Sequence, residues 1–131
     1  VSTGFARVGL SGDYGAIFFL THLVGSGRAR ELFFSSERVD AARCERLGIV
    51  NRVVADDQLR SEAMDWARRL ARGPTLALAH MKTNLDRALR EDLPACLAGE
   101  AEGTLATART ADHKEAVRAF VEKRDPRFTG N

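Results

Sequence analysis

The chain opens on a short, Gly-rich stretch, residues 1 to 12, whose apolar positions Phe5, Val8 and Leu10 fit a strand end running into a loop. A helical period then sets in. Tyr14, Ile17, Phe18 and Thr21 or His22 recur at helical spacing, with Asp13 in the N-cap position and Gly25 at the expected stop. Because this helix is apolar nearly all round, it is expected to be buried among other elements. A second helix, 28 to about 34, turns Ala29, Leu32 and Phe33 inward, and Arg38-Val39 reads as a brief extended piece. Asp40 then caps a short helix through Arg46, Leu47-Gly48 ends it, and the β-branched run Ile49 to Val54 reads as a strand.

Beyond Asp56-Asp57 the pattern is wholly helical. Leu59, Ala63, Trp66, Ala67 and Leu70 form one stripe, and Gly73-Pro74 breaks it. The next helix carries Leu78, Met81, Leu85 and Leu89 on one face, and the one after Pro94 carries Leu97, Ala101, Leu105 and Ala108. In the latter, Gly99 and Gly103 permit close helix contact at the expense of helicity. Asp112 and Glu115 make a capping-box pattern for a last helix, whose Ala116, Val117, Phe120 and Val121 are expected to face inward before Pro126. The predicted class is therefore α/β over residues 1–55 followed by a helical region over 56–131, with no linker long enough to separate autonomous domains. A lone strand cannot satisfy its own backbone groups, so the strands expected here need a sheet contributed by other polypeptide. The opening Val1-Ser2-Thr3-Gly4, with no initiator Met, basic segment or apolar run, reads as a cut into mid-fold and not as a leader.

Composition narrows the function classes. With 44% hydrophobic and 29% charged residues the chain has the make-up of a globular domain. The most apolar segment, Ala16 to Val24, is interrupted by Thr21 and His22 and followed by Gly25, which argues against a membrane span. Net charge is +2, from 20 basic and 18 acidic residues interspersed along the chain, and no basic run carries interleaved aromatics, so nucleic acid is not an expected partner. Cys44 and Cys96 are read as reduced thiols of a cytoplasmic protein. His22, His80 and His113 are scattered and neither cysteine lies near one at ligand spacing, so no metal site is expected. Gly25-Ser26-Gly27 has Arg30 where a third glycine would complete a dinucleotide fingerprint.

The run Phe5-Ala6-Arg7-Val8-Gly9-Leu10-Ser11-Gly12-Asp13-Tyr14-Gly15 resembles the enoyl-CoA hydratase/isomerase (crotonase) superfamily, in which a strand ends at Gly-Leu and a polar turn opens the next helix. Leu23-Val24-Gly25, Arg28 to Leu32, Val39-Asp40-Ala41 and Leu47 to Val54 follow in the family's order, and Phe120 to Phe128 is similar to its closing signature. The likeness covers the whole chain but only the second half of a family member. It implies the end of a spiral of ββα turns, then a helical region that mediates trimers, often paired into hexamers. It also implies an acyl-CoA or enoyl-CoA substrate handled as a thioester enolate, with coenzyme A part of the substrate and no separate cofactor. The two backbone N–H donors that stabilise such an enolate belong to the earlier half. Losing even one preorganised donor costs about 10² to 10³ in rate, so the chain alone is expected to be nearly inert. An inactive assembly piece is the competing reading, and a helical interaction module over residues 57 to 122 a third.

The resemblance also assigns candidate residues. Family hydratases place a catalytic Glu four residues before the Gly of Gly-Leu, where this chain has Phe5, and a phenyl ring cannot move a proton. Asp13 falls where isomerase-like, dehalogenase-like and ring-opening relatives place a functional Asp, which favours isomerase-like chemistry over two-glutamate hydration. As a simple helix cap, Asp13 has an equally physical alternative role. Phe5, Leu10, Gly12, Tyr14 and Phe18 are the candidate acyl-pocket residues, against the plainer reading of helical core. Lys123, with Arg124 beside it, resembles the basic C-terminal position that reaches the CoA nucleotide in relatives.

Overall fold

The computed structural model describes residues 1–131, which form two compact units, Val1–Gln58 and Leu59–Asn131. In the first, a single turn of 3-10 helix over Phe5–Val8 precedes α1 (Ala16–Ser35) and α2 (Ala41–Arg46). The second begins with α3 (Leu59–Ala71), followed by α4 (Thr75–Ala88), α5 (Leu93–Thr107) and α6 (Ala111–Val121).

Neither strand expected from the β-branched and Gly-rich runs forms: residues 49–54 are bends and irregular backbone, and residues 5–8 are helical. The α/β expectation is thus met only on its helical side. A strand is defined by what it pairs with, and the nearest thing to a ladder is one reciprocal pair. The Val39 N–H donates to the Val1 carbonyl at 2.8 Å, and the Val1 ammonium donates to the Val39 carbonyl at 2.7 Å.

α1 is two helices joined at Gly25, whose φ 76° and ψ 161° are non-helical. That region is essentially closed to residues with a Cβ, so the residue predicted to end one helix makes an elbow between two. Past the elbow, Ala29 and Leu32 are buried as expected. Leu32, Val39 and Cys44 form the core of this unit, with Leu20, Val24, Leu47 and Ile49 packed against it. Asp40 caps α2 as predicted, its carboxylate accepting from the Arg43 N–H at 2.7 Å, and Gly48 (φ 74°) terminates it. Before the elbow α1 is not the buried helix its composition predicts, since Ile17, Phe18, Phe19 and Leu23 are all exposed.

In the second unit α4 and α5 pack in antiparallel fashion, but not through their leucine stripes. Met81 and Leu85 on α4, Leu89 at its C-cap, and Leu97 and Leu105 on α5 are exposed. The contact runs through Gly99 and Gly103, the two buried residues of α5. The Asn84 amide donates to the Gly99 carbonyl at 3.4 Å, and a Cβ on Gly103 would sit 3.3 Å from that of His80. Two small residues one turn apart let backbones approach more closely than leucines do, and the close face wins. The stripe of α3 is likewise open at Leu59 and Leu70.

The predicted capping box of α6 is absent. Thr110 is the cap, accepting from the His113 N–H at 3.0 Å. Asp112 and Glu115 instead hold the C-terminal tail. Asp112, 4% exposed, accepts from the Thr129 N–H at 2.7 Å and the Gly130 N–H at 2.9 Å. Glu115 accepts from both terminal nitrogens of Arg124, at 2.6 and 3.1 Å, and from the Arg127 N–H at 3.0 Å. Phe120 and Val121, expected inside, lie outside, and Ala119 takes the buried position.

Candidate active site

The turn into α1 departs from the sequence expectation at the residue that matters most. Gly12 (φ 105°) and Tyr14 (φ 52°) flank Asp13 with left-handed backbone, and Gly15, not Asp13, occupies the N-cap with no side-chain cap hydrogen bond. Asp13 contributes its carbonyl, which accepts from the Ala16 N–H at 2.9 Å. Its carboxylate is therefore not spent on capping. A non-glycine residue such as Tyr14 at positive φ is uncommon and marks a turn whose shape the surrounding structure enforces.

A cleft of about 510 Å³ opens against this turn, lined by Gly12 and Asp13 and by the first two turns of α1, including Ile17, Phe18, Thr21 and His22. Asp13 is its one carboxylate, set against apolar walls. Of the other candidates, Gly12 and Phe18 line the cleft directly. Phe5 stands behind it: its ring stacks on Phe33 at 6.2 Å, and Phe33 in turn lies 3.5 Å from where a Cβ on Gly12 would stand. Leu10 and Tyr14 are outside the lining, Tyr14 being 95% exposed. Lys123 belongs to the other unit, in the left-handed turn (φ 53°) that follows α6.

Sequence reasoning placed His22 on the helical period and weighed it as a metal ligand, but did not connect it to this site. Its Nδ1 lies 2.8 Å from the Phe18 carbonyl, and its ring packs on the Phe18 ring at 4.1 Å. A carbonyl only accepts, so Nδ1 carries the proton in that bond and Nε2 is left for another partner. The signal was present: Gly15, Phe18 and His22 are spaced three and four apart, which sets them on one helical face. No group of three or more His, Cys, Asp or Glu is arranged to hold a metal ion, and no helix is long and apolar enough to cross a membrane.

At the far end of the chain, Arg124 is gripped between Glu115 and Glu122, at 2.6 Å to each. Hydrogen bonds from Arg124, then from the Arg127 N–H, hold the Glu115 carboxyl down to about 2, and the same pairing raises Arg124 above the usual guanidinium range. A hollow of about 620 Å³ lies over this clasp.

These features occur in a chain that belongs to the enoyl-CoA hydratase/isomerase family, whose pattern matches residues 1–131. It is 37% identical to a Rhodobacter capsulatus protein named "Probable enoyl-CoA hydratase", over 96% of this chain and 49% of that protein. It is 33% identical to the 1,2-epoxyphenylacetyl-CoA isomerase of Escherichia coli, over 96% of this chain and 48% of that enzyme. Among solved structures, enoyl-CoA hydratase subunit I of Geobacillus kaustophilus superposes with a TM-score of 0.91 at 37% identity, over 98% of this chain and 50% of that one. The fold is accordingly crotonase-like, and the chain spans about half the length of the curated relatives it matches.

Proposed function

We propose that the chain forms the second half of an enzyme that processes acyl-CoA or enoyl-CoA esters through a thioester enolate, by isomerase-like proton transfer and not by two-glutamate hydration. In this reading it supplies the end of a ββα spiral (1–55) and a helical trimerisation region (56–131), and the polarising N–H donors come from preceding polypeptide. The enzyme is a cytoplasmic trimer or hexamer that uses no cofactor beyond the CoA carried by its substrate. Asp13 is the acid/base. Its carboxylate takes a proton from a carbon of the acyl group, the electron pair left behind delocalises into the thioester as an enolate, and the same proton returns at another carbon. The net result is a double-bond shift with no atom gained or lost.

The observation that carries this reading is the position of Asp13 on the wall of the apolar cleft with its carboxylate not consumed in capping α1. Phe5 at the position of a hydratase Glu supports isomerisation over hydration, because water activation needs a second proton-moving group that Phe5 cannot supply. Similarity to an enzyme named as an isomerase points the same way. Lys123 is proposed to meet the CoA nucleotide.

A panel of CoA esters offered to the full-length protein and to its Asp13→Asn variant tests the proposal. Turnover is expected to fall by about 10² to 10⁴, the usual worth of a positioned acid/base, with substrate binding retained. Unchanged turnover in the variant removes Asp13 from the chemistry, and hydration as the dominant activity of the parent overturns the isomerase reading.

A further inference from the structure

The turn that ends α6 has a counterpart at the end of α2, and the two differ at one residue. After α2 the Gly48 N–H donates to the Glu45 carbonyl at 3.0 Å and the Ile49 N–H to the Cys44 carbonyl at 2.9 Å. After α6 the Lys123 N–H donates to the Phe120 carbonyl at 3.2 Å and the Arg124 N–H to the Ala119 carbonyl at 3.0 Å. Both are the two-bond closure in which the first residue past the helix cap turns left-handed, a place that glycine usually fills because a Cβ is strained there. Gly48 (φ 74°) follows that preference, and Lys123 (φ 53°) departs from it.

The anchors of the two turns differ as well. Ile49 packs against the core around Cys44, so an apolar contact holds the α2 turn. At α6 the anchor is ionic. Arg124 donates to both oxygens of Glu115 at 2.6 and 3.1 Å, to Glu122 at 2.6 Å and to the Asp125 carbonyl at 3.1 Å. Glu115 also accepts from the Arg127 N–H at 3.0 Å, which ties down the backbone three residues further on. With its carboxyl held at about 2, Glu115 stays charged throughout the pH range of an assay. All of these partners belong to the second unit. A non-glycine residue persists in a left-handed turn where its surroundings over-determine the backbone, and such outliers gather where a side chain has to be held for a ligand.

We infer that the Glu115–Arg124–Glu122 clasp is a positioning device for Lys123, holding the left-handed turn after α6 so that the ammonium is presented in one direction to a phosphate of the CoA nucleotide. The inference deepens the proposed function and rests on it for the ligand. A lysine ammonium is a compact point charge suited to phosphate, and the phosphates of an acyl-CoA are all carried by its nucleotide. Arg124, by contrast, is spent on the clasp and acts through its neighbour.

The test measures Kd for free coenzyme A by calorimetry, together with the denaturant midpoint, in the full-length protein and its Lys123→Gly, Lys123→Arg, Glu115→Gln, Glu122→Gln and Glu115→Gln/Lys123→Gly variants. Lys123→Gly is expected to weaken binding about tenfold, the loss of one charged contact, while raising the midpoint because glycine relieves the turn. Lys123→Arg keeps most of the affinity. Glu115→Gln is expected to weaken binding at least about threefold, although removing a negative charge by itself favours a polyanion. Glu122→Gln removes the more exposed arm of the clasp and moves the affinity the same way by less, and it carries the test if Glu115→Gln does not fold. In the Lys123→Gly background Glu115→Gln has no further effect on affinity. Clasp variants that bind coenzyme A as tightly as the parent, or more tightly, overturn the inference, as does an equal loss with and without Lys123, which general loosening of the tail produces. A parent that binds coenzyme A with no dependence on Lys123 also ends the positioning role and leaves the thioester reading standing, whereas a parent that binds no coenzyme A overturns that reading and the positioning role with it.

Discussion

Asp112 and Glu115 sit one turn apart on α6 and use their carboxylates on the same segment, the tail that runs from Arg124 to Gly130. For Asp112, which is buried, removal leaves the Thr129 and Gly130 N–H groups without their acceptor. Asp112→Ala is expected to cost about 1 to 3 kcal/mol in the full-length protein, the usual penalty for stranding buried donors, read as a lowered denaturant midpoint at constant slope. Glu115 makes a different prediction because it is partly open to solvent and its effect is read from pH. Its folded value, held at about 2 by Arg124 and the Arg127 N–H, lies below the ordinary glutamate value of about 4.3. A depressed carboxyl stabilises the folded state fully above the unfolded value and loses that contribution as pH falls through the folded one. Tail attachment, followed as the protection factor of the Arg127 amide relative to its intrinsic exchange rate at each pH, is therefore expected to be independent of pH above about 5 and to weaken between about 4.3 and about 2. Glu115→Gln should flatten that limb, and a tail that loosens identically in both proteins would falsify the clasp.

Among the elements, Gly25 offers the cleanest separation of backbone strain from crowding. A Cβ there meets nothing within 4 Å, yet φ 76° with ψ 161° is a conformation nearly exclusive to glycine. Gly25→Ala should cost about 1 to 3 kcal/mol by backbone strain alone, or straighten α1, outcomes that denaturant titration and helicity by circular dichroism distinguish. The same residue shows what is legible along the chain. Local signals were read correctly where one residue and its own backbone decide the outcome, as with Asp40 capping α2, Gly48 ending it and Gly73-Pro74 separating α3 from α4. They failed where two polar residues competed or a partner decided. Asp13 lost its cap to Gly15 because Tyr14 turned left-handed, and Asp112 lost its cap to Thr110 because the tail offered it buried donors. The Ile49 to Val54 run has β-branched residues but no neighbour in this chain to complete a ladder, and propensity does not pair a strand. The leucine stripes gave the helices of α3 to α5 but not their buried faces, since periodicity is silent about which face a glycine pair on the next helix will claim.

For the molecule as a whole, most of what the sequence marks as core is open to solvent. Ile17, Phe18 and Phe19 on α1 and Val117, Phe120 and Val121 on α6 are exposed, Phe120 by 85%. The family likeness marked Asp13 as the acid/base candidate before any coordinates, whereas the elbow at Gly25, where the sequence reads a helix stop, depends on backbone geometry that residue spacing does not carry. Fully burying a Phe or Val side chain contributes about 1.5 to 3 kcal/mol, and clustered apolar side chains of this size mark surfaces that are covered in the working protein. On α6 the inner positions are already taken by Ala119 and the tail clasp, so Phe120 and Val121 face away from everything this unit contains. If the covering surface belongs to another subunit, as the proposed trimer or hexamer requires, Phe120→Asp in the full-length protein should reduce its sedimenting mass to that of the monomer while helicity by circular dichroism stays unchanged. If Phe120 packs against the rest of its own polypeptide instead, the charge is driven into an interior, and the variant loses stability while its folded fraction keeps the parent's oligomeric state. The first outcome supports assembly through α6. The second moves the interface elsewhere, because a charge that breaks the fold without changing the association state cannot be sitting between subunits.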